Sequence, residues 1–254
     1  MRYGLQLSYA GTNYVGWQRQ PNGVGVQQVL EEALQTLLRL PIEVVAAGRT
    51  DAGVHARMQV VHFELPQTNE HGQILLDLIA DHKFVFKLNS VLPRAIAIQR
   101  VWQAADDFHA RYNAVYRAYQ YHLHQLKSPF LDHASWFMPR PLDFTLMNQA
   151  ASMLLTHTNF ECFSKVHTEV NNFRCTITLA QWRPDTTTPG AFVFDIRANR
   201  FLRGMVRAVV GTLVEVGLHK MTLDEFGQVL TSNDRGLAGS AAPPYGLYLS
   251  DIGY

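Results

Sequence analysis

Apolar and polar positions alternate at the start of the chain. Tyr3, Leu5, Leu7 and Tyr9 interleave with Gly4, Gln6 and Ser8, the period of a half-buried strand. Ala10-Gly11-Thr12-Asn13 reads as a turn. The period then changes. Val26, Val29, Leu30, Ala33, Leu37 and Leu38 recur at helical spacing, with Gln27, Glu31, Glu32 and Gln35 between them. This predicts an amphipathic helix ending near Leu40-Pro41 and opened by Gly25, a weaker cap than Ser or Thr. Two β-branched runs follow, Val44-Val45-Ala46 and Gln59-Val60-Val61-His62-Phe63, both short enough to be strands. Leu65 to Glu70 reads as a loop. Ile74 to Lys87 reads as a helix broken by Leu88-Asn89-Ser90-Val91-Leu92-Pro93, and Ile96 to Trp102 as a strand.

The second half repeats the alternation. Tyr116 to Leu123 is a predicted strand with Tyr119, Tyr121 and Leu123 on one face, where tyrosines are usually core. Asp143 can cap a helix running to about Leu155. Phe160 to Asn172 shows no period and reads as a surface loop. Strands are expected at Cys175–Trp182 and Phe192–Ala198. Phe201 onward begins a helix with Met205, Val206, Val209, Val210, Leu213 and Val216 on its apolar face, weakened slightly by Gly204. Thr222 and Glu225 have the spacing of a capping box, and Gly246-Leu247-Tyr248-Leu249 reads as a final strand. Each half shows a loose strand-helix-strand-strand-helix order. The prediction is α+β, with two similar domains, 1–105 and 106–254, meeting at Asp106-Asp107.

Composition narrows the class. At 254 residues and 47% apolar, the chain can bury a real core. No apolar run reaches bilayer length, and the N-terminus carries no signal-peptide pattern, so the expectation is a cytoplasmic protein without a membrane anchor. Two cysteines, Cys162 and Cys175, make neither a disulfide framework nor a CxxC zinc site. The eleven histidines are scattered without metal-ligand spacing, so no metal is expected. A net charge of +1 means that any nucleic-acid surface must come from segregated charge.

The chemistry concentrates in the loop between the two β-branched runs, Ala47-Gly48-Arg49-Thr50-Asp51-Ala52-Gly53-Val54-His55-Ala56. Asp before Ala-Gly is ordinary turn chemistry, with the carboxylate bonding nearby amides. The functional reading makes Asp51 a reactive carboxylate, kept ionised by Arg49 two residues away. A second stretch, Tyr14-Val15-Gly16-Trp17-Gln18-Arg19-Gln20, mixes aromatic, polar and basic groups. That mixture suits bases and phosphates, or a Trp17 that simply closes over the core. Arg207 interrupts an apolar helix face, either snorkelling at its edge or held to pair with a carboxylate.

The order Gly-Arg-Thr-Asp-Ala-Gly-Val-His-Ala resembles, residue for residue, the catalytic motif of the TruA family of tRNA pseudouridine synthases. Tyr14 to Gln20, Phe108-His109-Ala110-Arg111, Arg117 to Tyr121, Phe201 to Arg207 and Gly246 to Leu249 resemble further family segments. The resemblance implies the pseudouridine synthase fold, with antiparallel and mixed sheets joined and a central cleft. It implies that Asp51 is the essential carboxylate, acting at C1′ or on a ribose proton, and that Arg207 pairs with it. It further implies that Tyr119 stacks on the uracil, that Leu247 lines the site, and that Arg49 holds the flipped nucleotide or a neighbouring phosphate. The implied substrate is uridine on the 3′ side of the anticodon stem-loop of tRNA. The implied assembly is a homodimer, and no small-molecule cofactor is needed. Two rivals use the same residues differently: an RNA-binding folding chaperone without catalysis, and a small-substrate glycosidase. The glycosidase would need a second carboxylate that the Asp51 motif does not contain.

Overall fold

A computed structural model of the chain describes residues 1–66, 79, 81, 83–165 and 172–254. The chain divides into two compact units, Met1–Val115 with Leu249–Tyr254, and Tyr116–Tyr248. Both combine strands and helices, as expected for an α+β protein. Among the described residues, no helix is long and apolar enough to cross a membrane.

The first unit carries, in chain order, β1 (Arg2–Tyr9), α1 (Val26–Leu38), β2 (Val45–Ala46), β3 (His55–Glu64), α2 (Phe84–Val91) and β4 (Ile96–Gln103). β1 lies between β3 and β4, antiparallel to both, so that Leu5 sits opposite Val61 on one side and Val101 on the other. The alternation of β1 is realised: Tyr3, Leu5, Leu7 and Tyr9 are all buried. α1 buries Val26, Leu30, Ala33, Leu34 and Leu38, and each valine or leucine side chain removed from water contributes roughly 1.5–3 kcal/mol. On its flank, Gln27 and Gln28 bond Glu31 and Glu32 one turn on. Gly25 stands at the N-cap with no side-chain cap, and Arg39 ends the helix in the left-handed region at φ 58°.

α2 departs from its expected bounds. Its predicted start, and the loop expected over 67–70, fall on residues outside those described. Its end lies at Val91, beyond the break expected from Leu88. Pro93 constrains the residue before it, and Leu92 is extended at φ −81°, ψ 148°; residues further back remain free to be helical.

The second unit carries β5 (Tyr116–His124), β6 (Trp136–Phe137), α3 (Phe144–Met153), β7 (Ile177–Pro184), β8 (Ala191–Ala198), α4 (Met205–Gly217), α5 (Leu223–Ser232) and the start of β9 (Leu247–Gly253). β8 is the middle strand, antiparallel to β5 and β7, and β6 runs parallel to β5. Asp143 caps α3 by accepting from Leu146 N–H at 3.0 Å. The capping box of α5 forms, with Thr222 and Glu225 bonded reciprocally.

Two sequence expectations fail here. Phe160, Cys162 and Phe163 are fully buried around a short 3-10 turn, so the start of the supposed surface loop is core. Lack of period shows irregular backbone, and irregular backbone can still be buried. Gly204 does not sit inside a helix. It precedes α4 at φ 72°, a left-handed position that favours glycine, so it permits the turn that launches the helix.

The face of the first sheet opposite Leu5 carries a ring cluster. His62 and Trp102 both pair with Gly4, and Phe108 packs against them at 6.2 and 6.4 Å. His62 is buried, and its Nδ1 accepts from Ala110 N–H at 3.1 Å. Burial first, then the nearby His109 and Arg2, lowers its pKa from 6.5 to about 4, against the opposing pull of Glu64. Well above pH 6.5 His62 is neutral folded or unfolded. As pH falls toward 4, the unfolded chain takes up a proton that the folded chain resists, and stability is lost. The loss should reach about 3 kcal/mol by pH 4. Thermal melts of wild type and His62→Gln between pH 7.5 and 4.5 check this, since the variant should melt with the shallower pH slope.

Candidate active site

In the first unit, the loop from Ala47 to Val54 connects β2 to β3. Ala47 N–H donates to Val60 O at 2.9 Å, extending the β2–β3 pairing to the loop's first residue. The fully buried Gln59 then props the next, its Nε2 donating to Gly48 O at 2.9 Å. A buried amide without a partner would be costly, so this bond fixes the point where the loop leaves the sheet.

The loop's middle is held by the segment Tyr14–Trp17. Trp17 N–H donates to Thr50 O at 3.0 Å, and Gly53 N–H donates to Tyr14 O at 3.2 Å. Asp51 lies between these two clamps. Its own carbonyl accepts from Val54 N–H at 3.1 Å, which closes a turn over Ala52 and Gly53. The turn expected at Asp-Ala-Gly is therefore present, closed by the main-chain carbonyl of Asp51. The Thr50 hydroxyl bonds Tyr9 Oη at 2.8 Å, and His55 Nδ1 accepts from Gly11 N–H at 3.0 Å. His55 is buried and ties the strand ends together.

Trp17 is 2% exposed, with its ring 5.9 Å from that of Tyr9. It closes over the core, as the structural reading allowed. Gly16 makes the approach possible. A Cβ there would lie 2.7 Å from Thr50 O, and its φ is 111°. Asp51 is half-buried, while Arg49 and Arg19 are exposed. Arg19 reaches Glu31, which also accepts from Gln27 and from Val44 N–H.

In the second unit, Tyr119 stands half-buried on β5, its ring edge-on to Phe201 at 5.2 Å. Tyr121, two residues on, is fully buried and donates to Pro243 O at 3.0 Å, and burial raises its pKa. Arg207 is half-buried. Its Nε donates to Ala242 O at 2.7 Å, and Ala242 N–H donates back to Arg207 O at 2.9 Å. Arg207 and Tyr121 thus hold adjacent residues of the segment that leads into Leu247, which is buried at the start of β9. Of the sites expected from sequence, Asp51 and Arg49 share one loop, while Arg207, on α4, bonds the segment that leads into Leu247. Tyr119 lies on β5 two residues before Tyr121, which bonds the same segment.

The family model for tRNA pseudouridine synthase matches residues 7–113 and 150–254. The chain belongs to the tRNA pseudouridine synthase family.

Relatives agree along the full length. A Porphyromonas gingivalis protein named tRNA pseudouridine synthase A is 45% identical over 254 residues, covering 100% of this chain and 97% of its own. Proteins of the same name are 44% identical in Bacteroides thetaiotaomicron, covering 100% of this chain and 90% of theirs, and 40% identical in Colwellia psychrerythraea, covering 100% and 94%. The matched family segments contain Arg49, Asp51, Arg207 and Leu247, whereas Tyr119 lies in the interval between them.

In this pseudouridine synthase family chain, several supporting residues went unassigned by sequence reasoning. Gln59 had a visible signal, an amide inside an apolar run. Tyr9 and Ala242 had none, because each acts on a partner 35 or more residues away.

Proposed function

We propose that this chain isomerises uridine to pseudouridine in the anticodon stem-loop of tRNA, with Asp51 as the essential carboxylate. The observation that carries this is the Asp51 loop: a half-buried carboxylate on a backbone clamped at Thr50 and Gly53, within a chain of this family. In the reaction the N1–C1′ bond breaks and a C5–C1′ bond forms. The C5 hydrogen leaves as a proton, and N1 gains one. Electrons balance without oxidant or reductant, so a positioned carboxylate and a closed pocket meet the chemical need.

The other residues take roles around that step. Arg207 pairs with Asp51 and keeps it ionised; within its own unit, its Nε is held by Ala242 O. Tyr119 stacks on the uracil, Leu247 closes the pocket, and Arg49 holds the displaced nucleotide or a neighbouring phosphate. Extruding the target base costs a few kcal/mol, which contacts from cations offset in part. The assembly is a homodimer, which enlarges the cationic surface available to a chain of net charge +1.

Tritium release tests the reading. tRNA transcript and free uridine, both labelled at C5, are incubated with the protein. Release from tRNA and none from free uridine is the expected result. Binding of tRNA without release would replace the enzyme by an RNA chaperone, and production of free uracil would point to a glycosidase.

A further inference from the structure

We propose that Tyr112 and Arg111 form a second RNA contact, a platform on which one unpaired base of the tRNA stacks while the guanidinium meets an adjoining phosphate. The proposal rests on tRNA being the substrate. Tyr112 is 75% exposed, a large aromatic ring offered to solvent. A floppy exposed tyrosine would mean little, but this one stands on a built support. Its ring lies 4.3 Å from that of His109, and His109 lies 4.7 Å from the buried His62. His109 Nδ1 accepts from both Arg111 N–H and Tyr112 N–H, at 3.2 and 3.3 Å. The His109 backbone N–H donates to Asn113 Oδ1. The backbone beneath the platform is therefore wound around one imidazole, and that imidazole packs at a tilt against the buried His62.

The geometry beside the ring matches a nucleotide better than an apolar partner. The Arg111 guanidinium carbon lies over the Tyr112 ring, 5.7 Å from its centroid, and Arg111, Tyr112 and Asn113 are all exposed. A largely exposed ring with a cation over it and an amide next to it in the chain offers stacking, charge and hydrogen bonding together. This is the combination that single-stranded nucleotides use. A base held in a duplex presents no free face, so the ligand is a nucleotide in a loop or at a stem end.

Equilibrium binding of tRNA transcript to the full chain tests this across a salt series. Tyr112→Ala should weaken binding about tenfold or more, the range of one lost stack, with the salt slope unchanged. Tyr112→Phe keeps the ring and should bind like wild type. Arg111→Gln should weaken binding and lower the salt slope by about one, the signature of a lost phosphate contact. Because both side chains are exposed, thermal midpoints should stay within about 2 °C of wild type. Unchanged binding by Tyr112→Ala, or an equal loss by Tyr112→Phe, overturns the platform. If wild type still releases tritium from tRNA, the enzyme reading survives that result. If wild type binds no tRNA at all, both readings fall.

Discussion

Asp51→Asn is expected to abolish tritium release from C5-labelled tRNA, by at least about a thousandfold, while tRNA binding persists. The substitution replaces one oxygen by an amide nitrogen and keeps the shape. An amide at neutral pH neither attacks carbon nor removes a proton, so the chemical step loses its essential group. The loop should survive, because its clamps are main-chain bonds: Trp17 N–H to Thr50 O, Gly53 N–H to Tyr14 O and Val54 N–H to Asp51 O. Stability should change by no more than about 1 kcal/mol. Single-turnover release and a melting curve on the same preparation separate the two effects. Residual activity within tenfold of wild type would remove Asp51 from the chemistry.

The second large effect is on stability. Gly211→Ala should lower the melting midpoint by roughly 5–10 °C, the equivalent of 2–3 kcal/mol in a chain of this size. A Cβ at Gly211 would meet Ser240 O at 1.7 Å, with Ser240 C at 2.9 Å and Ala242 N at 3.2 Å. All three are backbone atoms, so no flexible side chain can yield. Alanine's better helix propensity, about 1 kcal/mol, acts in the opposite direction and is outweighed. The segment cannot shift alone. Gly239 N–H is bonded to Thr212 Oγ1, Ala242 exchanges two bonds with Arg207, and Pro243 accepts from Tyr121. Moving it displaces the anchor of Arg207 and the lead into Leu247. Tritium release should therefore fall even well below the melting range. A midpoint at or above that of wild type would show that the close approach is not needed.

Much of the local structure was legible before the fold was known. The α1 stripe, the β1 alternation, the Asp143 cap and the Thr222–Glu225 box each depend on residues within a few positions of one another. Their physics is local, and local spacing displays it. The misreadings share the opposite cause. Phe160 and Phe163 are core because distant elements cover them. Gly204 starts a helix because the chain turns there. α2 continues to Val91 because a proline's constraint reaches back only one residue.

The candidate site divides along the same line. The order of residues from Gly48 to Ala56 pointed to the family and made Asp51 the candidate carboxylate, since a nonapeptide match carries far more information than any spacing. Arg207 was visible as a cation on an apolar helix face. What holds these side chains was decided by tertiary structure. Gln59 supports Gly48, Tyr14 and Trp17 clamp the loop around Asp51, and Ala242 fixes the Arg207 guanidinium. Each of these is a hydrogen bond between residues far apart in sequence or on different elements. No periodicity encodes such a bond, because its partners meet only when the chain has packed and water has been excluded from between them.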